Sequence, residues 1–119
     1  MAQSILTSTK KILGLPEQDT SFDIDIVIHI NSVLAILTQV GIGPDGFVID
    51  GPDATWDDFL GTDPVLSMAK TYVYLKVRLL FDPPTTTPAL ESWKEQIREF
   101  EWRLNVHREG LEWEAPVSS

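Results

Sequence analysis

The sequence contains no cysteine among its 119 residues. That absence excludes disulfide bridges, zinc–thiolate sites and catalysis by a thiol, and it argues against a secreted, disulfide-dense module. Cations are also scarce, since nine Lys and Arg face eighteen Asp and Glu and give a formal net charge of −9. Because nucleic-acid binding and docking on anionic membranes both need a cationic surface, this charge argues against either activity.

No stretch of the sequence has the character of a targeting or membrane-spanning segment. The longest apolar-rich stretch, Ile24–Ile42, is interrupted by polar residues and is too polar to span a bilayer. The first fifteen residues lack a signal-peptide core and carry Lys10 and Lys11 in their middle. We therefore expect a protein that stays in the cytoplasm of the cell that makes it, or in an assembly built there.

The composition is otherwise that of one globular domain, with 43% hydrophobic and 23% charged residues. Glycine and proline divide the chain into helical segments. The sequence predicts four helices, at about Ser4–Leu13, Ser21–Val40, Pro64–Phe81 and Thr87–Gly110. We expect an all-α fold, a small bundle of four helices with a long acidic loop between helices two and three and an extended C-terminal tail. The corresponding domain division is 1–110 for the helical domain and 111–119 for the tail.

The second helical segment has two competing patterns. Its isoleucines alternate at period two from Phe22 to Ile30, which is typical of a strand. A spacing of three and four residues also runs from Phe22 to Val40 without a turn signal, and this length favours a helix. Thr20 and Asp23 have the spacing of a capping box at its start.

The acidic loop, Gly43–Asp63, holds four Gly, two Pro and six Asp. A loop of this length in a compact domain is usually functional or flexible. Its apolar tripeptide, Phe47-Val48-Ile49, lies between two glycines and predicts an extended, hairpin-like tip. A single helical turn is expected at Thr55–Leu60, capped by Thr55 and ended by Gly61.

The third and fourth helices have the clearest signals. Asp63 followed by Pro64 predicts the start of the third, which is apolar over most of its circumference and so should be central to a domain or an oligomer. The fourth has a heptad-like apolar stripe. The residues of this stripe are Leu90, Trp93, Ile97, Phe100, Leu104, His107 and Leu111.

Enzymatic chemistry has little support, and we expect neither catalytic residues nor a cofactor or metal ion. His29 and His107 belong to different helices and lack a second ligand at metal spacing. Asp45, Asp50 and Asp53 lack the ligand alternation of a calcium loop. We interpret these carboxylates as a solvated acidic surface.

Two tryptophans stand apart from the apolar stripe. Trp93 lies on the stripe and is expected in the core, whereas Trp102 is about 200° around the helix from Phe100. Trp113 follows the predicted helix end. Exposed aromatic residues are favoured as interface anchors, so we favour burial of Trp102 and Trp113 by a partner. The alternative is that the tail folds back and Trp113 covers Trp102.

Specific segments carry a family resemblance. They are Thr71–Pro84, Leu90–Ile97, Glu101–Asn105 and the acidic turn Thr55–Gly61. Together with the order of the helices, they resemble the head–tail connector, or adaptor, proteins of long-tailed double-stranded DNA phages. The resemblance covers nearly the whole chain, and its most specific parts are Tyr74–Pro84 and Glu101–Asn105.

The resemblance implies a structural protein of the virion, located at the capsid vertex after assembly in the host cytoplasm. Such proteins form a ring, typically of twelve copies, which docks beneath the portal protein. The ring extends the DNA channel and carries the next connector, a stopper or tail-completion protein. DNA passes through without sequence-specific binding, and no membrane is involved.

The resemblance and the exposed aromatics together suggest three groups of site residues. The portal interface is expected at Trp102, Arg103, Leu111, Trp113 and Val117. Ring neighbours are expected to contact Phe47, Val48, Ile49, Tyr72 and Tyr74. The acidic residues that line the channel are expected to be Asp45, Asp50, Asp53, Asp57 and Asp58.

Two other functions remain open from the sequence. A stopper ring further from the head belongs to the same class. An acidic helical module that binds a basic partner by imitating the charge of DNA belongs to another, although six of the Asp lie in one loop rather than along one surface.

Overall fold

The computed structural model describes the backbone of residues 3–117 and the side chains of residues 3–107. Five helices follow one another along the chain: α1 (Ile5–Ile12), α2 (Asp23–Gln39), α3 (Trp56–Leu60), α4 (Leu66–Phe81) and α5 (Thr87–Val117). The described residues contain no strand, and the predicted all-α fold is confirmed. The four long helices are the predicted bundle, and α3 is the single turn expected inside the acidic loop.

Helix α4 lies at the centre of the bundle, packed against α2, α3 and α5. Its buried residues are Ala69, Tyr72, Val73 and Val77. Helix α2 packs on α4 and α1, and its buried residues are Ile26, Ile30, Val33, Leu34 and Leu37. The helical spacing therefore prevails over the strand-like alternation in this segment, because only the positions with helical spacing reach the core.

The start of α2 differs from the predicted capping box. Thr20 provides only its carbonyl, which accepts a hydrogen bond from the Asp23 N–H at 3.2 Å, and no side chain caps the helix. The Asp23 carboxylate instead lies 2.9 Å from the ammonium of Lys10, which is buried and also donates to the Glu17 carbonyl. The prediction was wrong because the carboxylate pairs with this buried cation of α1.

Other helix ends also differ from the prediction. Helix α4 begins at Leu66 rather than at Pro64, because Asp63 accepts a hydrogen bond from the Val65 N–H and closes a separate turn. Helix α5 does not end at Gly110 but continues through Val117. Residues 111–117 therefore continue helix α5 and do not form the expected extended tail. The division into 1–110 and 111–119 as separate units stays a prediction.

Candidate interaction surfaces

The acidic loop is held in place by one side chain of α2. The Asn31 amide donates to the Ile49 carbonyl at 2.9 Å, and its oxygen accepts from the Ile49 N–H at 2.8 Å. A residue of a neighbouring β-strand would make the same two hydrogen bonds with the backbone of Ile49. The expected hairpin-like tip is not present, because the tripeptide has no regular secondary structure and Ile49 is paired with a side chain rather than with a second strand.

Aromatic packing fixes the two ends of the same loop. The rings of Phe47 and Phe59 lie 5.1 Å apart. Gly43, with a φ of +83°, passes so close to Phe59 that any larger residue would overlap the ring. This position requires glycine both for its backbone conformation and for its space.

The N-terminal segment closes the loop from the other side. The Ile5 N–H donates to the Ala54 carbonyl and the Trp56 N–H donates to the Gln3 carbonyl, each at 3.0 Å. Trp56 is buried, and its indole N–H donates to Ser8 at 2.9 Å. A tryptophan in the acidic turn thus belongs to the core, which sequence reasoning missed because its hydrogen-bond partners, Gln3 and Ser8, lie about fifty residues away.

The five predicted channel-lining residues share one property. Each has an exposed side chain, and they are Asp45, Asp50, Asp53, Asp57 and Asp58. Asp58 also completes a capping box, in which it accepts from the Thr55 N–H and Thr55 accepts from the Asp58 N–H. The loop is an ordered frame that presents carboxylates to solvent.

The residues predicted to contact ring neighbours are divided by burial. Val48 is 65% exposed, whereas Ile49 and Tyr72 are buried within the chain itself. Phe47 and Tyr74 are half-buried, and the Tyr74 ring packs edge-on against Trp56 at 5.8 Å. In this conformation Val48 is the member of the set that a second molecule can reach most fully.

Tyr72 has an internal partner that explains its burial. Its hydroxyl donates to the Glu101 carboxylate of α5 at 2.8 Å, and Lys76 lies 3.8 Å from the same carboxylate. Burial first, then the hydrogen bond and charge of Glu101, raise the pKa of Tyr72 well above its ordinary value. The contact joins α4 to α5 at neutral pH.

The predicted portal-facing residues can be placed in part. Trp102 is 66% exposed, and Arg103 is exposed and pairs with Glu99 of the same helix at 2.7 Å. Leu111, Trp113 and Val117 belong to the backbone of α5, but their side chains lie outside the described residues. The alternative that Trp113 covers Trp102 lies outside them too.

Trp93, the first of the three tryptophans of α5, is only partly in the core. Its ring is half-buried, and the guanidinium of Arg78 lies 5.1 Å from the ring centroid. The cation and the ring attract each other in this geometry. This contact also joins α4 to α5.

A second apolar surface lies on the outside of α2. Ile24 and Ile28, one turn apart, are 77% and 56% exposed. They line an open groove of about 450 Å³ between α2 and the loop segment Ile49–Pro52. These are the alternate isoleucines of the strand-like pattern, which face away from the core once the segment is a helix.

Comparison with known families decides what these surfaces belong to. A family model described as "Phage connector protein" matches residues 5–111. The chain belongs to the phage connector protein family. Comparisons with curated proteins and with solved structures each gave no significant match. The predicted family is thereby confirmed over most of the chain.

Family membership suggests why this phage connector has exposed apolar and charged surfaces. Connectors are structural proteins that interact with other components of the phage head and tail. Within residues 3–117, no helix is long and apolar enough to cross a membrane. No group of three metal-ligating side chains comes together in the described part of the connector, where His29 and His107 are both half-buried on separate helices.

Proposed function

We propose that this connector is an adaptor that forms a ring beneath the portal, extends the DNA channel and joins the capsid to the tail. The observation that carries the proposal is the family match over residues 5–111. A ring of identical subunits also needs two different surfaces that meet head to tail. The exposed isoleucines of α2 and the exposed Trp102 of α5 are candidates for such surfaces.

The proposed portal-facing part is the C-terminal end of α5, which includes Leu111, Trp113 and Val117. Arg103 lies two turns earlier on the same helix, where its exposed guanidinium pairs with Glu99 and has further N–H donors for a carboxylate of another protein. The proposed next partner, below the ring, is a stopper or tail-completion protein.

The acidic loop is proposed to line the channel. Five exposed carboxylates on an ordered loop would place a dense negative charge at the lumen of a ring. Twelve copies of a chain with a net charge of −9 carry a charge on the order of −100. Such a surface repels phosphate and lets DNA slide without adhering.

The decisive experiment is electron microscopy of the purified protein mixed with its portal. We expect a ring of about twelve copies at one end of the portal, and the absence of any ring on the portal would contradict the adaptor function. A chain truncated after Gly110 should fold and lose docking. Unchanged docking by this truncated chain would overturn the role of the C-terminal end alone.

A stopper further from the head is the second candidate. It would need the same kinds of surface, because a stopper also forms a ring around DNA. The order of assembly separates the two, since an adaptor should be retained by immobilised portal alone, whereas a stopper should need another connector first. Retention only in the presence of that additional connector would replace the adaptor proposal with the stopper.

A further inference from the structure

The exposed apolar residues of α2 and of α5 each lie on the side of their helix opposite the core. Ile24 and Ile28 each lie two positions from the buried Ile26, which is about 200° around the helix. Trp102 and Val106 each lie two positions from the buried Leu104. Both pairs therefore face away from the shared core, and one molecule cannot bring its own two pairs together.

The two surfaces differ in shape. The α2 surface is concave, because Ile24 and Ile28 form one wall of the groove and the segment Ile49–Pro52 forms the other. The α5 surface is convex, because Trp102 and Val106 are adjacent on one face of a helix and are 66% and 45% exposed. A large exposed indole and a groove of about 450 Å³ are complementary in form.

The two surfaces also differ in charge. Residues 12–69 contain ten Asp and Glu and no Lys or Arg, whereas residues 70–119 contain seven Lys and Arg and eight Asp and Glu. Asp50 lines the groove and Asp25 is exposed on the same helix. Arg98 lies one turn before Trp102 on the same face, and Arg103 is next to it. They pair with Glu95 and Glu99 of the same helix, so this face has no excess of acid, in contrast to the groove. Such an arrangement favours contact between unlike surfaces over contact between two acidic halves.

We propose that the α2 groove of one copy receives the Trp102–Val106 face of α5 from the next copy. The contact is head to tail, because each molecule offers the groove on one side and the helix face on the other. Trp102 is then an anchor between copies rather than a contact with the portal. The inference rests on the proposed ring and names the surfaces that build it.

The absence of native cysteine makes a cross-linking test direct. One variant carries Ile28→Cys, a second carries Trp102→Cys, and the two are mixed on the purified portal and treated with a short bismaleimide. We expect cross-linked dimers of one variant with the other, at roughly tenfold or more the yield of a control mixture, because neighbours in an assembly have a high effective concentration. The control mixture pairs Trp102→Cys with Leu80→Cys, whose side chain is 48% exposed, close to the 56% of Ile28, but lies outside both surfaces.

A chain that carries both Ile28→Cys and Trp102→Cys sharpens the result. Head-to-tail contacts should give a ladder of covalent oligomers that ends at the copy number of the ring. Dimers alone would mean a two-fold contact and would overturn the proposal. Equal yields from the test and control mixtures would overturn it as well.

The outcomes also separate this inference from the adaptor function. Rings on the portal without the Ile28–Trp102 cross-link would overturn the interface and leave the adaptor function standing. The cross-link in concentrated protein that never binds the portal would support the interface and contradict the adaptor function. Portal binding that is lost in Trp102→Ala, while the double variant Ile24→Asp/Ile28→Asp still assembles, would assign Trp102 to the portal and overturn the inference.

Discussion

The irregular loop of this phage connector is better anchored than its longest helix. Between Gly43 and Asp63 the chain buries Ile49, Trp56 and Phe59. Among the described residues of α5, only Ile97 and Leu104 are fully buried, and Trp102 is mostly exposed. Regular secondary structure therefore does not identify the most firmly packed part of the molecule. A long helix that leaves apolar residues in water is instead typical of a surface that a partner covers.

Replacement of Trp56 by alanine should have the largest effect on stability. Its ring is buried against Tyr74 and its indole N–H is bonded to Ser8. Loss of a buried aromatic side chain costs about 3–5 kcal/mol of the free energy of unfolding. Urea denaturation should show this loss in Trp56→Ala, whereas Trp56→Phe should lose less because the ring remains. A loss below about 1 kcal/mol in Trp56→Ala would mean that the loop is not anchored in the core.

Replacement of Asn31 by alanine should have the next largest effect. The substitution leaves the buried N–H and C=O of Ile49 without their partners. Each unpaired buried group costs about 1–3 kcal/mol. Because both bonds are only partly buried and water can replace some of the lost bonding, we expect a total loss of roughly 2–4 kcal/mol. Hydrogen exchange at the Ile49 amide should also become faster. Ser32→Ala, on the same helix but exposed, is the control, and an equal loss in the two variants would contradict a specific role for the amide.

Replacement of Tyr72 by phenylalanine tests the contact between α4 and α5 at alkaline pH. The pKa of Tyr72 is raised in the folded protein above its ordinary value of 10.0, so the folded state keeps the proton to a higher pH than the unfolded chain. The resulting stability is complete below pH 10.0 and is lost as the pH rises above it. The wild-type protein should therefore lose stability above this pH.

Tyr72→Phe should remove this tyrosine's part of the alkaline loss. At neutral pH it should cost about 1.5–3 kcal/mol, the usual value of a hydrogen bond to a charged group. Denaturation curves at several alkaline pH values measure both effects. Parallel pH profiles for wild type and Tyr72→Phe would show that the hydroxyl contact with Glu101 does not contribute to the alkaline transition.

Replacement of Trp102 by alanine should have the smallest effect on the isolated chain. Its side chain lies outside the core, and such surface changes usually alter the free energy of unfolding by within about 0.5 kcal/mol. Comparison with Trp56→Ala in the same urea experiment contrasts a tryptophan of the loop with one of the helix. A loss above about 2 kcal/mol in Trp102→Ala would show that α5 depends on this ring for its own folding.

The sequence predicts the elements of this fold better than the contacts between them. Helix α2 and the turn capped by Thr55 follow from spacing and from local hydrogen-bonding residues, and the structure confirms both. The bonds between Asn31 and Ile49 join residues eighteen positions apart. The burial of Trp56 depends on Ser8, forty-eight positions away. No local pattern encodes such distant partners.

Candidate site residues were harder to predict for the same reason. Exposure of Trp102 follows from its angle to the apolar stripe, and the structure confirms that exposure. Tyr72 was expected at a surface because α4 is apolar nearly all round, but Glu101 of α5 accepts its hydroxyl hydrogen. The groove of α2 was missed because the alternating isoleucines were considered only as a sign of a strand. Their consequence for a helix, an apolar outer face, was not drawn.

The two hydrogen bonds between Asn31 and Ile49 have a consequence for how this chain can vary in length. Burial alternates along this segment, so Ile49 is buried while its neighbours Val48 and Asp50 are exposed. One inserted residue between Phe47 and Ile49 would exchange these two orientations and bury the wrong side chain. Insertions in the exposed turn Pro44–Gly46 would leave the arrangement intact. Relatives of this connector should therefore gain or lose residues in that turn, and keep the distance from Phe47 to Ile49 constant.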